Sequence, residues 1–285
     1  MISIIIVSWK VRDLLSECLK TLTSIENDFD YEIIVVDNNS QDQTAEMIAQ
    51  DFPRVEFIGQ AKNLGYAKAC NLGAQKATGN FLLFLNPDTR WHQKVLSRLK
   101  NFTEDKDKVG AVGIKILNPD KSIQPSVRKL PTAISLVALQ SKFHLLNKKI
   151  LDDYLNKNFD YQKTQPVEQV SGAFLFIKKE VFNNMNGFDQ IFFTWFEEVD
   201  LCRRLLNSGY QNYYFSEVSI IHHGEQSFQQ AGSLKKQLIF NRSLKHYIKK
   251  HHSSWLYFLI LLINPINLFS ATLITIFRIK PKHYL

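Results

Sequence analysis

The feature that most constrains this chain is a series of short apolar runs, each closing in a polar turn: Ile2–Ser8, Tyr31–Asp37, Val55–Ile58 and Phe81–Leu85. Runs of that length without alternation suit strands covered on both faces. Between them the apolar positions follow helical spacing. Leu14, Leu15, Cys18, Leu19 and Leu22 mark one helix. Asp42 or Thr44 is placed to cap a second, running to Phe52, and Gly65–Ala77 reads as a third. A helix near Gln93–Phe102 and a strand at Val109–Leu117 continue the alternation. The pattern predicts an α/β fold around a mostly parallel central sheet with right-handed crossovers. Ligands of such sheets bind at the carboxyl ends of the strands, so the polar turns are where chemistry is expected.

Beyond Leu117 the rhythm breaks. Pro119–Gln165 reads as an insertion over the sheet edge. Val170–Ile177 is strand-like, Glu197–Asn207 helical, and Tyr213–Phe215 and Val218–Ile221 strand-like again. Leu234, Leu238, Leu244 and Ile248 mark a basic amphipathic helix that ends in Lys249-Lys250-His251-His252. Ser253 to Phe277 then carries no charged residue, with Asn264, Pro265 and Asn267 at its centre and basic residues on both flanks. Polar groups and a helix break are costly in hydrocarbon, and basic flanks favour the cytoplasmic side. A kinked re-entrant or interfacial hairpin satisfies these facts better than a single span, and better than a helix pair buried on the rest of the fold. The expected division is therefore 1–252 as the catalytic domain (1–117 binding nucleotide, 118–252 binding acceptor) and 253–285 as a hydrophobic, membrane-associating tail.

The chain has 285 residues, 45% hydrophobic and 22% charged, which excludes a disordered protein. Three scattered cysteines, Cys18, Cys70 and Cys202, exclude a disulfide framework and a CxxC metal site. The N-terminal apolar run lacks a basic leader, so the body is expected in the cytoplasm, on the inner face of the membrane. Lys and Arg number 35 against 27 Asp and Glu, a net +8 that attracts nucleic acid, anionic lipid or phosphorylated small molecules.

Four polar clusters stand at strand ends or helix starts. In Val36-Asp37-Asn38-Asn39-Ser40-Gln41-Asp42, Asp37 closes the second strand, where a carboxylate can accept from a base or ribose. Lys62-Asn63-Leu64-Gly65-Tyr66 opens a helix with glycine, as a phosphate-approaching turn does. Asn86-Pro87-Asp88 ends the fourth strand in an acid able to hold a divalent cation. Glu197-Glu198-Val199-Asp200 places three acids in one helical turn, where mutual repulsion raises a pKa and suits a general base; Ile221-His222-His223 closes a strand with candidate metal ligands. Each cluster has an ordinary structural explanation as a turn or a helix start; together they do not.

The series VVDNNSQD, KNLGYAKACNLG, FLNPD, SGAFLFIKKEVF, GFDQIFFTWFEEVDLC, IIHHGEQS and NRSLKHYIKKHH resembles family 2 glycosyltransferases, over about Ile2 to His252 and in the family's order. The branch it is most similar to is the rhamnosyltransferase-like one of bacterial cell-surface polysaccharide assembly. The resemblance implies a single Rossmann-like domain of the GT-A type. It implies that Asp37 contacts the nucleotide base, with Asp42 the later acid of that motif, and that Asn63, Gly65 and Asn71 line the donor. Asp88 corresponds to the last acid of the DxD metal motif and so contacts both the nucleotide-sugar and Mg²⁺ or Mn²⁺. His222 corresponds to the later metal ligand by its spacing to Ser227, with His223 the fallback. Glu198 corresponds to the acid that deprotonates the acceptor, with Gly172, Glu197 and Asp200 on the acceptor side.

Three positions depart from the pattern: Asn86 stands for the first DxD acid, Lys10 for a usual Asn, and Glu198 for a usual Asp. The implied reaction is an inverting, metal-dependent transfer, with L-rhamnose from dTDP-rhamnose as the lead donor. The implied acceptor is a glycan or polyprenyl-linked glycan at the membrane, with no nucleic-acid partner. Two other classes compete: a sugar nucleotidyltransferase, for which Ser8-Trp9-Lys10-Val11-Arg12 lacks the phosphate-loop glycines, and a non-catalytic basic membrane-surface protein, which leaves Asp37, Asp88 and Glu198 without a role.

Overall fold

The structure is a computed structural model in which residues 1–143, 147–224 and 233–276 are described. The first half holds β1 (Ile2–Ser8), α1 (Arg12–Ile25), β2 (Tyr31–Asp37), α2 (Thr44–Asp51), β3 (Glu56–Gly59), α3 (Tyr66–Lys76), β4 (Phe81–Leu85), β5 (Thr89–Arg90), α4 (Leu96–Glu104) and β6 (Val109–Leu117). The second half holds β7 (Ile123–Gln124), β8 (Val127–Arg128), α5 (Ala133–Ser141), β9 (Gln165–Val167), β10 (Gln169–Val170), β11 (Phe174–Lys178), α6 (Lys179–Asn184), α7 (Glu197–Asn207), β12 (Gln211–His222), α8 (Ser233–His251) and α9 (Ser254–Ile276).

The main sheet runs β3-β2-β1-β4-β11-β6-β12-β5. Neighbours among β3, β2, β1 and β4 are parallel, β12 is parallel to β6, and β11 is antiparallel to both β4 and β6. The expected mostly parallel α/β sheet is present, in mixed form. Alternation along β1 feeds two cores: Ile2, Ile4 and Ile6 pack under α1, α2 and α4, while Ile5 and Val7 face α3 and the C-terminal helices. Both faces are covered, which is why the strands read as unbroken apolar runs.

Several expected elements differ in detail. The strand expected over Val170–Ile177 is two, β10 and β11, parted at Ser171-Gly172-Ala173. The two strands expected near 213–221 are one, β12, with an irregular register between Phe215 and Ser219, a bulge that let the polar Ser216-Glu217 look like a break. Helix α2 has no side-chain cap: Gln43 holds the left-handed cap position, and Asp42 instead accepts from Thr44 Oγ1 (2.5 Å) and Arg12 N (3.3 Å). Helix α4 starts later than its periodicity suggested, at Leu96, where the Glu26 carboxylate accepts from Val95 N and Leu96 N. The stretch 119–165 is no bare loop. It supplies β7 to the sheet through β6, β8 to a small sheet with β10, and helix α5.

The tail departs most. Through residue 276 it is one helix, α9, not a hairpin, and it continues through Pro265. Pro265 and Leu261, whose carbonyl loses its helical donor, lie on the exposed side. The polar residues read as a break are cross-helix ties. Asn241 Nδ2 donates to Asn267 Oδ1 (3.0 Å), Asn267 Nδ2 donates to the Gln140 carbonyl (2.6 Å), and Gln140 Nε2 donates to Asn264 Oδ1 (3.2 Å). Leu256 and Ile260 join the core beside α8. The upstream fold thus covers one face of a segment that seemed too apolar to be covered. Trp255, Phe258 and Leu262, at helical spacing, remain 70%, 63% and 76% exposed. Among the described residues no helix is long and apolar enough to cross a membrane.

Candidate active site

The parallel strands bring their carboxyl ends to one edge. Asp37 ends β2, Asn86-Pro87-Asp88 follows β4, and His222 ends β12 opposite Thr89. Asp37 is buried and accepts from the backbone N and the hydroxyl of Ser40. Next to it Asn38 Oδ1 accepts from Leu64 N (3.2 Å) and its Nδ2 donates to the Gly65 carbonyl (3.3 Å), which ties the base-side turn to the loop before α3. Asn63 accepts from Gly65 N (2.9 Å). Gly65 has φ +85°, and a Cβ there would lie 2.5 Å from the Phe193 carbonyl, so glycine is required by a close approach of the second half of the chain. Tyr66 N donates to that same carbonyl (2.6 Å), and the Tyr66 hydroxyl donates to the Gly172 carbonyl (3.1 Å).

Gly172 leads to Glu198, the acid expected as the base. A Cβ on it would touch the Glu198 side chain at 3.8 Å, and the neighbouring Ala173 carbonyl accepts from Asn86 N (3.0 Å). A continuous set of contacts therefore runs from Asp37 through Asn38, Gly65, Tyr66 and Gly172 to Glu198, and from Gly172-Ala173 back to Asn86-Pro87-Asp88. Asp88 and His222 meet directly, Oδ1 to Nε2 at 3.2 Å, both buried. Burial pushes the Asp88 carboxyl up, but the hydrogen bond and charge of His222 outweigh it and hold it below the usual carboxylate range. His222 rather than His223 faces the acid with its ring; His223 offers its backbone N to the Asp88 carbonyl (3.0 Å). Ser227, the spacing mark for that choice, lies outside the described residues.

The helix α7 start divides its three acids. Glu198 lines a small cleft with Arg128, Tyr154, Gln169, Trp195, Phe196 and Phe240. Burial raises its pKa, opposed by helix N–H groups and the charge of Arg128. Burial, then the charge of Glu198, holds Glu197 well above the usual range. Glu198 Oε2 and Gln169 Oε1 are buried without a hydrogen-bond partner among the described residues.

Two expected site residues face elsewhere. Asp200 is fully buried against Arg204 Nε (2.8 Å), Lys250 Nζ (2.8 Å) and His251 Nε2 (2.6 Å), so it clamps α7 to α8 and does not line the cleft. Asn71 Nδ2 donates to the Phe188 carbonyl (2.8 Å) and its Oδ1 accepts from Phe188 N (2.9 Å), so its side-chain amide is engaged with the backbone of the loop before α7. Arg128, Gln169 and Gln124 were not read as functional. They come from the stretch taken as an insertion and its border, where no spacing or strand end marked them.

The donor set at the edge fits a small divalent cation. A buried carboxylate oxygen and imidazole nitrogen lie side by side, 3.2 Å apart, and both are ligand types that divalent cations take. Among the described residues no group of three or more His, Cys, Asp or Glu side chains could hold a metal, so an ion here would need further ligands from a diphosphate and water, the usual habit of Mg²⁺.

The profile of Glycosyl transferase family 2 matches residues 3–184. Rhamnosyltransferase WbbL of Escherichia coli (strain K12) is 30% identical over 240 residues, covering 80% of this chain and 86% of that protein. The N-acetylglucosaminyl-diphospho-decaprenol L-rhamnosyltransferase of Mycobacterium tuberculosis is 26% identical over 236 residues, covering 78% and 76%. Among solved structures, S. aureus TarS 1–349 is similar with TM-score 0.55 at 15% identity, over 99% of this chain and 75% of that one. Mannosyltransferase PcManGT from Pyrobaculum calidifontis, in complex with GDP-Man and Mn²⁺, is similar with TM-score 0.56 at 17% identity, over 95% and 73%.

Proposed function

The chain belongs to glycosyl transferase family 2 and is a glycosyltransferase of polysaccharide biosynthesis; from that premise we propose that it moves L-rhamnose from dTDP-rhamnose to a lipid-linked glycan with inversion at the anomeric carbon. Family membership sets aside a nucleotidyltransferase and a non-catalytic binder. The rhamnosyltransferase names of two relatives support the donor, and the decaprenol-linked acceptor in one of those names supports the acceptor. The observation that carries the reading is the Asp88–His222 contact at the sheet edge, joined through Asn86, Ala173 and Gly172 to Glu198.

Asp88 and His222 would hold Mg²⁺ or Mn²⁺, which neutralises charge on the departing diphosphate. Asp37 takes the base side, with Asp42, Asn63 and Gly65 shaping the turns that receive the nucleotide. Glu198, with an unpartnered carboxylate oxygen in the cleft, accepts the proton of the attacking acceptor hydroxyl. The aromatic walls Trp195, Phe196 and Phe240 exclude water and give the acceptor sugar apolar faces to lie on. A thermal-shift panel of dTDP, UDP and GDP, each with and without Mn²⁺, checks the donor. A ligand at 100 times its Kd stabilises by about 2.7 kcal/mol, and the largest shift is expected with dTDP plus Mn²⁺. No shift with any nucleotide would remove the donor reading.

The exposed Trp255, Phe258 and Leu262 face, beside the basic α8, is proposed to lie in the membrane interface, on the cytoplasmic side, where the lipid-linked acceptor resides. Deleting α9 would uncover Leu256 and Ile260, so surface changes give the cleaner test. The triple variant Trp255→Ser, Phe258→Ser, Leu262→Ser is expected to lose co-sedimentation with anionic vesicles while melting as the parent does. Unchanged co-sedimentation would refute the attachment.

A further inference from the structure

We propose that Gln124 is a positioning residue that fixes the tautomer of His222, keeping the ring proton on Nδ1 so that Nε2 is the nitrogen that takes the metal beside Asp88. The inference rests on the reading of Asp88 and His222 as the metal pair, and it concerns how the chain prepares that pair before any ion arrives. His222 Nδ1 lies 2.7 Å from Gln124 Oε1. The orientation of the Gln124 amide is dictated by its other end. Nε2 stands 3.3 Å from the His222 carbonyl and 2.9 Å from Asn118 Oδ1. A carbonyl only accepts, so the nitrogen must face it and the oxygen must face the ring.

The polarity is enforced from further back. Ser122 Oγ donates to the exposed carboxylate of Asp120 (2.6 Å), so it can only accept from Asn118 Nδ2 (2.9 Å). That leaves Asn118 Oδ1 to accept from Gln124. Each donor in the turn between β6 and β7 is thereby assigned, and the relay ends with the proton of His222 on Nδ1. Nε2 is left as the ring nitrogen open to a metal. It faces Asp88 Oδ1 at 3.2 Å and Asn86 Nδ2 at 3.2 Å. A metal arriving beside Asp88 therefore meets Nε2, while Nδ1–H stays with Gln124. A ligating imidazole oriented through its other nitrogen is a general device, and loss of such a partner weakens metal binding by about 10–100-fold.

The test compares wild type, Gln124→Leu, Gln124→Glu and His222→Ala for Mn²⁺ alone, with free ion followed by electron paramagnetic resonance and melting temperature recorded without metal. Gln124→Leu is expected to bind Mn²⁺ about 10–100-fold more weakly, and Gln124→Glu, whose carboxylate also accepts from Nδ1–H, to bind as wild type does. A purely structural role for Gln124 would lower the melting temperature and would not be rescued in this way. If wild type binds, His222→Ala does not, and Gln124→Leu binds like wild type, the positioning role is overturned while the metal pair stands. If wild type and His222→Ala bind alike, the metal pair itself fails and the inference with it. A measurement on the unsubstituted protein avoids any folding defect in the variants. In ¹⁵N-labelled, metal-free wild type at alkaline pH, where the ring holds a single proton, the His222 signal, assigned by its absence in His222→Ala, is expected to place that proton on Nδ1. A proton on Nε2 would overturn the proposal.

Discussion

Glu198→Gln is expected to lower kcat by about 10²–10⁴-fold, the usual worth of a positioned general base, with dTDP affinity unchanged. Glutamine keeps the shape of the side chain against Gly172 and removes only the ability to take a proton. The variant should not be less stable. Burial raises the Glu198 pKa, so the stability its protonation contributes is complete below the ordinary value of 4.5 and is lost as pH rises through the raised folded value. At neutral pH the amide relieves that cost, and the melting temperature is expected to hold or rise. The same shift sets the sign of the pH profile. Activity needs the ionised carboxylate, so kcat is expected to fall with acidification already above the usual carboxylate range. Donor affinity that fell in step with kcat would assign Glu198 to binding and not to proton transfer.

The neighbouring acid acts in the same direction. Burial raises both Glu197 and Glu198, and two adjacent carboxylates resist joint ionisation, so they titrate as a pair. Glu198 is the member that lines the cleft beside Arg128.

What was legible in the sequence is what lies along single strands and helices. Periodicity alone located β1, β2, β4, β6 and α7, because burial on both sheet faces leaves an unmistakable apolar run and α7 pairs a polar start with an amphipathic body. Asp37, Asp88, Glu198 and His222 were visible as polar residues at the ends of such runs. The contacts that link Asn86-Pro87-Asp88 to Gly172 beside Glu198 were not visible, since they depend on β11 entering antiparallel between β4 and β6 and carrying Gly172-Ala173 to Asn86. Asp200 was misplaced because helical spacing tells which residues share a turn and not which way that turn faces; α8 takes it with Lys250 and His251. Gln124 and Arg128 act through the β6–β7 turn and across the cleft, long-range contacts that leave no local signature. The α9 helix was misread for the same reason: Asn264 and Asn267 look like breaks in an apolar segment until Gln140 and Asn241 supply their partners.

Asp88→Ala is expected to abolish Mn²⁺-dependent turnover, a loss of at least about 10²–10³-fold, since it removes charge stabilisation placed where the leaving diphosphate develops its own. Of the two proposed ligands, losing one leaves His222 alone, with Asn86 Nδ2 at 3.2 Å from its Nε2. The edge itself should survive, because the backbone bond from His223 N to the Asp88 carbonyl and the pairing of His222 with Thr89 do not use the side chain. Asp88→Asn separates charge from shape: it keeps the volume and one oxygen and should lose turnover nearly as fully, because a neutral amide cannot balance the cation. The measurements are initial rates of sugar transfer over a Mn²⁺ titration, together with the dTDP thermal shift with and without metal. Asp88→Ala should keep a dTDP shift that Mn²⁺ no longer enlarges, since the base-side role proposed for Asp37 does not depend on Asp88. Full wild-type turnover in EDTA, or a metal response retained by Asp88→Ala, would take the ion out of the mechanism and leave Glu198 to act against a diphosphate held by other groups.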